Sequence, residues 1–394
     1  MTLIITIFWI SLAVLFFCYI GYGIILFLLN TPASYFKKRK SFEPDEYMPV
    51  TLIVAACNEG AVLEQKLRNT LEIDYPEKSF HIIFITDGST DNSVDIIKKY
   101  PAVRVLHNAE RKGKSAAIKR AMQQVQTPVV VFSDANTLLN KDCIRNIVQH
   151  YQHPSTGGVA GEKKIITGYR SSAVGEAEGL YWKYESFLKK QDAAFNTVVG
   201  AAGELFSIRT SLFKELRNEL ILDDFIISMQ VCLQGYKIAY EPGAYAAELP
   251  SLSLAEEEKR KVRIAAGAYQ SIGPLRHCLN FVKHPLLAFQ YISRRLLRWV
   301  CCPLLLIVLL GTNIFIVSKV PLTGFYTWFL YGQLFFYSLA LLGWWLVSNG
   351  RKAGLIAIPF YFAFMNYCLV KGFFRFVKGK QTVLWEKSLR QVVE

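Results

Sequence analysis

Four stretches without a single Asp, Glu, Lys or Arg constrain this 394-residue chain more than any other feature. They cover residues 1–36, 299–318, 320–350 and 353–370. A helix needs about 20 consecutive apolar residues to cross a bilayer core, and each stretch meets or approaches that length. The first lacks a basic N-terminal region and a small-x-small cleavage site, so we interpret it as a retained anchor. The sequence therefore predicts a multi-pass membrane protein in contact with a lipid bilayer.

The formal net charge of +14 is distributed in a way that argues against a nucleic-acid partner. Much of the excess lies beside the apolar stretches, at 37–40, 294–298 and 371–380. Such clusters usually face the cytoplasm and anionic lipid headgroups. No basic repeat interleaved with aromatic residues is present, and the eight cysteines form no C-x-x-C pair. We expect a cytoplasmic domain with reduced thiols, held at a plasma membrane, which in bacteria is the inner membrane.

These patterns divide the chain into six segments. We expect a transmembrane helix at 1–30, a basic connector at 31–48, a globular domain at 49–280, an interfacial amphipathic helix at 281–298, about three transmembrane helices at 299–371 and a basic tail at 372–394. The interfacial helix is inferred from three arginines on an otherwise apolar segment. Three spans after a cytoplasmic domain would place the basic tail outside, so the side on which the tail lies stays open.

Strands and helices alternate through the globular domain. Strands are predicted at 50–56, 81–86, 103–107, 129–132, 158–166, 205–209 and 237–240. Helices are predicted at 59–71, 93–100, 115–125, 141–151, 174–190, 224–234 and 256–270. Near-continuous apolar strands between helices favour an α/β fold with a mostly parallel sheet. Ligands bind such sheets beyond the carboxyl ends of the strands.

Polar clusters follow three of the predicted strands, at that ligand-binding edge. Asn58 and Glu59 follow the first strand, and the segment 87–91, Asp-Gly-Ser-Thr-Asp, follows the second. Asp134 and Asn136 follow a later strand, two residues apart, which suits a divalent cation bridging a diphosphate. Each cluster alone fits a plain turn or helix cap equally well. Their shared position at strand ends favours a ligand site.

Three further groups complete the candidate site. Asp223 and Asp224 open a helix downstream of the small-residue turn 200–204, although acidic residues also favour any helix N-terminus. The turn 111–114 is basic and precedes a helix, which fits a phosphate ligand or a solvated turn. A last set shares one helix face and fits a leaving diphosphate or an exposed charged face. Its members are Arg260, Arg263, Gly267 and Gln270.

The order of five motifs resembles the membrane-embedded family 2 glycosyltransferases, which include hyaluronan, chitin, cellulose and poly-N-acetylglucosamine synthases and ceramide glucosyltransferase. The motifs are Val-Ala-Ala-Cys-Asn-Glu at 54–59, Asp-Gly-Ser-Thr-Asp at 87–91, Asp-Ala-Asn at 134–136, Gly-Ala-Ala-Gly at 200–203 and Asp-Asp at 223–224. The resemblance spans about residues 49–270 together with the membrane segments. It implies a GT-A (Rossmann-like) fold, a UDP-sugar donor, a carbohydrate or lipid-linked acceptor, and transfer with inversion.

The resemblance also implies roles for individual residues. The donor side would comprise Ala55, Glu59, Asp87, Lys114, Asp134 and Arg263. The acceptor side would comprise Gly200, Gly203, Glu204 and Asp223. Asp134 and Asn136 would bind Mg²⁺ or Mn²⁺ with the diphosphate, and Asp224 would be the general base that deprotonates the acceptor hydroxyl.

Two departures from the family pattern leave the product open. Asn136 occupies the second acidic position of the family's Asp-x-Asp motif, and Ile264 occupies the tryptophan position of its Gln-x-x-Arg-Trp motif. Polysaccharide synthesis is therefore preferred only slightly over transfer of one sugar to a lipid or short acceptor. A catalytically silent nucleotide-sugar-binding subunit is the alternative from another class, and membrane partner subunits stay open. A transporter is disfavoured because the predicted spans contain no charged residue.

Overall fold

The structure is a computed structural model that describes residues 1–30, 47–166, 173–319 and 324–379. Residues 31–46 of the predicted basic connector and 380–394 of the predicted basic tail lie outside the described residues. Residues 47–279 form a globular domain around one eight-stranded sheet, and four long apolar helices flank it in the chain.

One half of the sheet is fully parallel. Its strands are β1 (Val50–Ala56), β2 (Phe80–Asp87), β3 (Arg104–Asn108) and β4 (Val129–Asp134). They lie in the order β3-β2-β1-β4, with β1 at the centre paired to β2 and β4. Every residue of β1 is buried, because helices cover both faces of a doubly wound sheet. The parallel order brings the ends of β1, β2 and β4 to one edge, as the sequence predicts.

The other half of the sheet is mixed and contains two reversed strands, so the sheet is mostly parallel, as the sequence predicts, but not entirely so. Its strands are β5 (Thr137–Leu139), β6 (Thr156–Ile165), β7 (Phe206–Arg209) and β8 (Lys237–Glu248). β7 runs antiparallel to β4 and β6, while β6 and β8 are parallel. β5 starts after two residues of loop, too few for a parallel crossover, so it pairs antiparallel with β8 at the far edge.

Helices pack on both faces of this sheet. They are α1 (Gly60–Leu71), α2 (Ser93–Lys98), α3 (Lys114–Met122), α4 (Cys143–Val148), α5 (Ala173–Phe195), α6 (Asp223–Leu233) and α7 (Leu254–Ile272). Alternate residues of β1 enter two separate cores, with Ile53 in one and Leu52 and Val54 in the other. This period of two is what a strand buried on both faces requires.

Among the described residues, four helices are long and apolar enough to cross a membrane, judged by length and composition. They span Thr2–Leu29, Pro285–Val317, Phe325–Ser348 and Gly354–Val377. This agrees with one predicted anchor and three later spans. The last helix packs closely on α7, since a β-carbon placed at Gly372 would lie 2.4 Å from that of Ala265. The globular domain therefore rests directly on the apolar helices.

The segment predicted as an interfacial helix is continuous with the second apolar helix and turns its arginines towards the globular domain. Arg294 is buried and lies 2.7 Å from Glu185 and 3.1 Å from Asp192, both on α5. Arg298 contacts Glu185 as well, at 3.1 Å. These contacts replace the lipid-facing basic side that the sequence suggests, because α5 supplies buried carboxylates as partners. The position of this segment relative to a bilayer stays a prediction.

Candidate active site

Hydrogen bonds join the loops after β1 and β2 at the edge of the sheet where the sequence predicts a ligand site. The backbone N–H of Thr90 donates to Asn58 Oδ1 at 2.8 Å, and the N–H of Gly60 donates to Asp91 Oδ2 at 2.9 Å. Asn58 adopts a φ of +54°, a conformation that asparagine tolerates better than most residues. The contact of Asp91 with Gly60 stabilises the turn, which is one of the two roles that the sequence allows for this segment. Ala55 and Glu59 line a cavity at this edge of the sheet.

Asp87 is buried at the end of β2 and organises the basic turn at 111–114. Its Oδ2 accepts hydrogen bonds from the backbone N–H groups of Lys112 at 2.8 Å and Gly113 at 2.6 Å. Its Oδ1 lies 3.3 Å from the guanidinium of Arg120. These bonds place Lys114 at the first position of α3. The predicted contact of Asp87 with uridine stays a prediction.

Lys114, Asp134 and Asp224 meet around Gly203. A β-carbon placed at Gly203 would lie 3.1 Å from Lys114 Nζ, 3.2 Å from Asp224 Oδ2 and 3.6 Å from Asp134 Oδ2. Lys114 Nζ is 2.7 Å from Asp134 Oδ1 and 3.9 Å from Asp223 Oδ2. Glycine at 203 leaves room at this point of convergence, where any larger residue would crowd three charged groups. The structure thus brings together residues that lie up to 110 positions apart in the chain.

These groups line one cavity of about 330 Å³, which we call the central cavity. The predicted site residues on its wall are Ala55, Glu59, Lys114, Asp134, Asn136, Gly200, Gly203, Glu204, Asp223, Asp224 and Arg263. Of the residues predicted to bind the donor or acceptor, only Asp87 is set back from this wall.

The two adjacent carboxyls of the cavity, Asp223 and Asp224, have higher pKa values than acidic residues on a protein surface usually have. Burial and, after it, the negative charge of Asp223 raise the pKa of Asp224 to about 7, with Lys114 acting in the opposite direction. Burial also raises the pKa of Asp223, again with Lys114 acting in the opposite direction. A carboxyl with a pKa near 7 is well matched to proton abstraction at neutral pH.

Glu204 differs, since its carboxylate belongs to a buried ion-pair network. Lys163 Nζ lies 2.5 Å from Glu204 Oε1 and also contacts Glu248. Although burial works in the opposite direction, Lys163 lowers the pKa of Glu204 to about 2. Glu248 in turn accepts a hydrogen bond of 3.4 Å from Asn136 Nδ2. This network ties the loop after β4 to the turn at 200–204.

The polar residues on the arginine-rich face of α7 make different contacts. Arg260 and Arg263 both line the central cavity, and Arg260 also pairs with Glu178 and with Glu257 at 2.9 Å. Gln270 Nε2 donates to the carbonyl oxygen of Glu219 at 2.7 Å, holding the segment that leads into Asp223. Of this predicted face, the two arginines therefore lie at the cavity, while Gln270 has a structural contact.

Comparison with known proteins assigns the domain. Residues 51–217 match the sequence model described as Glycosyl transferase family 2. Residues 51–217 thus resemble a family 2 glycosyl transferase domain. Poly-beta-1,6-N-acetyl-D-glucosamine synthases of Staphylococcus aureus (strain COL) and Staphylococcus epidermidis (strain ATCC 35984) are 28% and 25% identical to it, each over 262 residues. These matches cover 63% and 62% of this chain, and 61% and 63% of the two relatives. The chain thus matches about three fifths of the length of these curated relatives.

A solved structure shows the same overall fold as this chain. The mannosyltransferase PcManGT from Pyrobaculum calidifontis, in complex with GDP-Man and Mn²⁺, superposes with a TM-score of 0.66 at 18% sequence identity. The superposition covers 95% of this chain and 99% of that one. The expectation of a GT-A fold with helices able to span a membrane is confirmed.

The glycosyl transferase domain offers a sparse set of metal ligands. Asp134, with an exposed side-chain fraction of 26%, and Asn136 both line the central cavity. No group of three or more His, Cys, Asp or Glu side chains is arranged for a metal ion within the part of the chain described. Mg²⁺ commonly takes only one or two protein carboxylates and completes its shell with phosphates and water. The donor set therefore fits a divalent ion that a diphosphate helps to hold.

Several residues that line the central cavity are not predicted from the sequence. Lys163 and Glu248 belong to the mixed half of the sheet, Trp182 and Lys189 to α5, and Trp299 to the second apolar helix. None lies in a motif of the family pattern. The sequence offers a signal for Glu248, a charged residue at the end of the alternating strand β8.

Proposed function

We propose that the protein moves a sugar from a UDP-sugar to an acceptor hydroxyl with inversion, in polysaccharide synthesis. The convergence of Lys114, Asp134 and Asp224 on Gly203 carries this proposal. It places a candidate base and a candidate phosphate-binding cation within one cavity. The polymer-forming relatives favour a polysaccharide product and put N-acetylglucosamine first among the candidate sugars.

In the proposed reaction, the carboxylate of Asp224 takes the proton from the acceptor hydroxyl as its oxygen attacks the anomeric carbon of the donor. The bond between that carbon and the diphosphate breaks, and its electron pair stays on the departing phosphate oxygen. Lys114 and Arg263 supply positive charge on the donor side, where the leaving diphosphate becomes more negative. A divalent ion held by Asp134 and Asn136, when bound, would supply further charge neutralisation there.

The proposal extends to location. The four apolar helices would hold the protein in a bacterial inner membrane, with residues 49–280 as the catalytic domain on the cytoplasmic side, where nucleotide-sugars are made. The basic residues beside the spans support this orientation.

Transfer of a single sugar to a lipid or short acceptor is the second candidate, and one observation favours it. Ile264 lines the central cavity at the position where the resemblance expects a stacking tryptophan. An aliphatic side chain there presents no flat aromatic face to a growing glycan chain.

The test uses the full-length protein in lipid nanodiscs with radiolabelled UDP-N-acetylglucosamine, UDP-glucose, UDP-galactose, UDP-glucuronate and GDP-mannose, and products are sized on gels. We expect one UDP-sugar to be consumed. Asp224→Asn should abolish UDP release and retain UDP binding, while the exposed Asp95→Asn behaves like the unaltered protein. Consumption of GDP-mannose alone would contradict the UDP assignment. UDP binding without turnover of any donor would indicate a silent subunit.

A further inference from the structure

Four residues of helix α5 line the central cavity, Tyr181, Trp182, Glu185 and Lys189, and the proposed chemistry uses none of them. Trp182 is half-buried, and its indole Nε1 donates to Glu178 Oε1 at 3.2 Å, one helical turn away. This hydrogen bond fixes the orientation of the indole. A fixed, partly open aromatic ring in a cavity is a surface on which a flat ligand can stack.

Lys189 is less expected there than Trp182. Its side chain is 3% exposed, and across the described part of the chain its Nζ has no hydrogen-bond partner. The Nζ atom lies 5.5 Å from the ring centroid of Trp182. A buried ammonium without acceptors is costly, and such a group calls for an explanation. An oxygen-bearing ligand in the cavity would supply the acceptors that the protein does not.

The surroundings match the chemistry of a sugar ring. Lys163 and Lys261 lie 4.9 Å and 5.9 Å from the Trp182 ring centroid, and carboxylates of the buried network stand beside them. Pyranose rings combine an apolar C–H face, which stacks on the negative face of an aromatic ring, with a rim of hydroxyls that exchange hydrogen bonds with charged groups. A hydrocarbon chain in this place would leave the ammonium of Lys189 unsatisfied.

The position is also suited to an acceptor. Lys163 links the Trp182 ring to Glu204 through the 2.5 Å ion pair, and the adjacent Gly203 lies against Asp224. The same cavity wall thus leads from the indole to the candidate base. Ile264, at the place of the family's tryptophan, lines the cavity as well but provides no aromatic face.

We propose that Trp182 and Lys189 form the acceptor-sugar subsite, with the indole stacking against a pyranose ring and the ammonium donating to a ring substituent oxygen. Trp182 lies on α5, whereas the tryptophan position of the family motif, occupied by Ile264, lies on α7. The proposed subsite therefore replaces that tryptophan with residues of a different helix. This inference rests on the proposed function and names a carbohydrate as the acceptor class.

The test measures transfer to β-1,6-linked N-acetylglucosamine oligomers by the full chain in nanodiscs, with the donor that the unaltered protein consumes. We expect Trp182→Leu, which keeps most of the volume but not the flat face, to raise the acceptor KM by about threefold to tenfold. Lys189→Met should raise it by a similar factor, about threefold to tenfold. Trp182→Phe should stay within about twofold of the unaltered protein, because it keeps a ring. The donor KM and the slow loss of donor to water should not change in any variant.

Lys183→Met is the matched control, since Lys183 is exposed on the same helix and should leave the acceptor KM unchanged. Unchanged acceptor KM in both Trp182→Leu and Lys189→Met, with active protein, would overturn the subsite and leave the proposed function intact. Transfer to lipid but to no oligosaccharide would do the same. Failure of the unaltered protein to turn over any donor would overturn the proposed function and the subsite together. If Trp182→Leu does not fold, as judged by lost UDP binding, Lys189→Met alone decides.

Discussion

Lys114 Nζ lies 2.7 Å from Asp134 Oδ1, so the first residue of α3 neutralises the last residue of β4. Both side chains line the central cavity, where the donor diphosphate is proposed to bind. A phosphate or a metal ion that approaches Asp134 must therefore share that carboxylate with an ammonium. This pairing makes Lys114 a residue through which donor binding and the acid–base properties of the site are connected.

Replacing Lys114 with methionine should weaken donor binding. Hydrogen bonds to charged groups contribute about 1.5–3 kcal/mol, so the donor KM should rise by roughly tenfold to 100-fold. Initial rates with the consumed UDP-sugar provide the measurement. Lys112→Met serves as the control, because Lys112 is half-exposed and pairs with Glu110 on the surface. Equal donor KM values in the two variants would rule out a contact between Lys114 and the donor.

The rate should rise with pH through about 7, because the proposed base acts only when Asp224 is ionised and its pKa is raised to about 7. Lys114 opposes that shift, so Lys114→Met should move the acid limb of the kcat profile to higher pH. The contribution of Asp224 to folding stability has the opposite sign. The folded state holds this proton more tightly than the unfolded chain, so that contribution falls as pH rises from 3.8 to about 7. A kcat that is flat between pH 5 and 8 would contradict the base assignment.

Gly200 and Gly235 allow backbone strain and steric clash to be measured separately. Both have positive φ, +84° and +88°. A β-carbon at Gly200 would lie 2.0 Å from the ring of Phe225, next to Asp224, whereas Gly235 has no neighbour within 4 Å among the described residues. Gly235→Ala should lower the free energy of unfolding by about 1–2 kcal/mol through strain alone.

Gly200→Ala should cost a further 1–3 kcal/mol or so, because Phe225 must move, and it should also reduce kcat. Denaturant unfolding in detergent, with activity measured in parallel, checks both variants. If the two alanine variants are equally stable and equally active, the contact with Phe225 has no role in positioning the base.

The activity should depend on a divalent ion, and this dependence should be sensitive to substitution of Asp134. After chelation with EDTA, activity should return on addition of Mn²⁺ or Mg²⁺. Asp134→Asn should raise the Mn²⁺ concentration for half-activation by at least about tenfold. Titration of turnover, together with the electron paramagnetic resonance signal of free Mn²⁺ in the presence of UDP, distinguishes binding from catalysis. The exposed Asp142→Asn is the control. Full activity in EDTA would remove the metal from the proposal.

The parallel half of the fold was predictable because its signals are local. β1 and β2 are apolar runs followed by polar turns, and the structure begins α6 at Asp223, one residue from the prediction. In the mixed half, β6, β7 and the start of β8 were predicted, whereas β5 was missed. A three-residue strand carries no periodicity, and the pairing of β5 with β8 joins residues more than 100 positions apart. The sequence predicted which residues belong to the site around Gly203, but not how they are arranged in space. Trp182 and Lys189 were missed because helical spacing does not tell which face of α5 meets a cavity.

The burial of Arg294 between Glu185 and Asp192 means that the globular domain cannot be dissected from the apolar helices without damage. A fragment that ends before residue 285 would keep two buried carboxylates of α5 and lose the guanidinium of Arg294 that pairs with both. Removing one partner of a buried pair costs about 3–5 kcal/mol, a large share of the roughly 5–15 kcal/mol that stabilises a typical protein. Assays should therefore use the globular domain together with its apolar helices, in detergent or nanodiscs. Water-soluble truncations are a poor substitute, however well their boundaries follow the sequence.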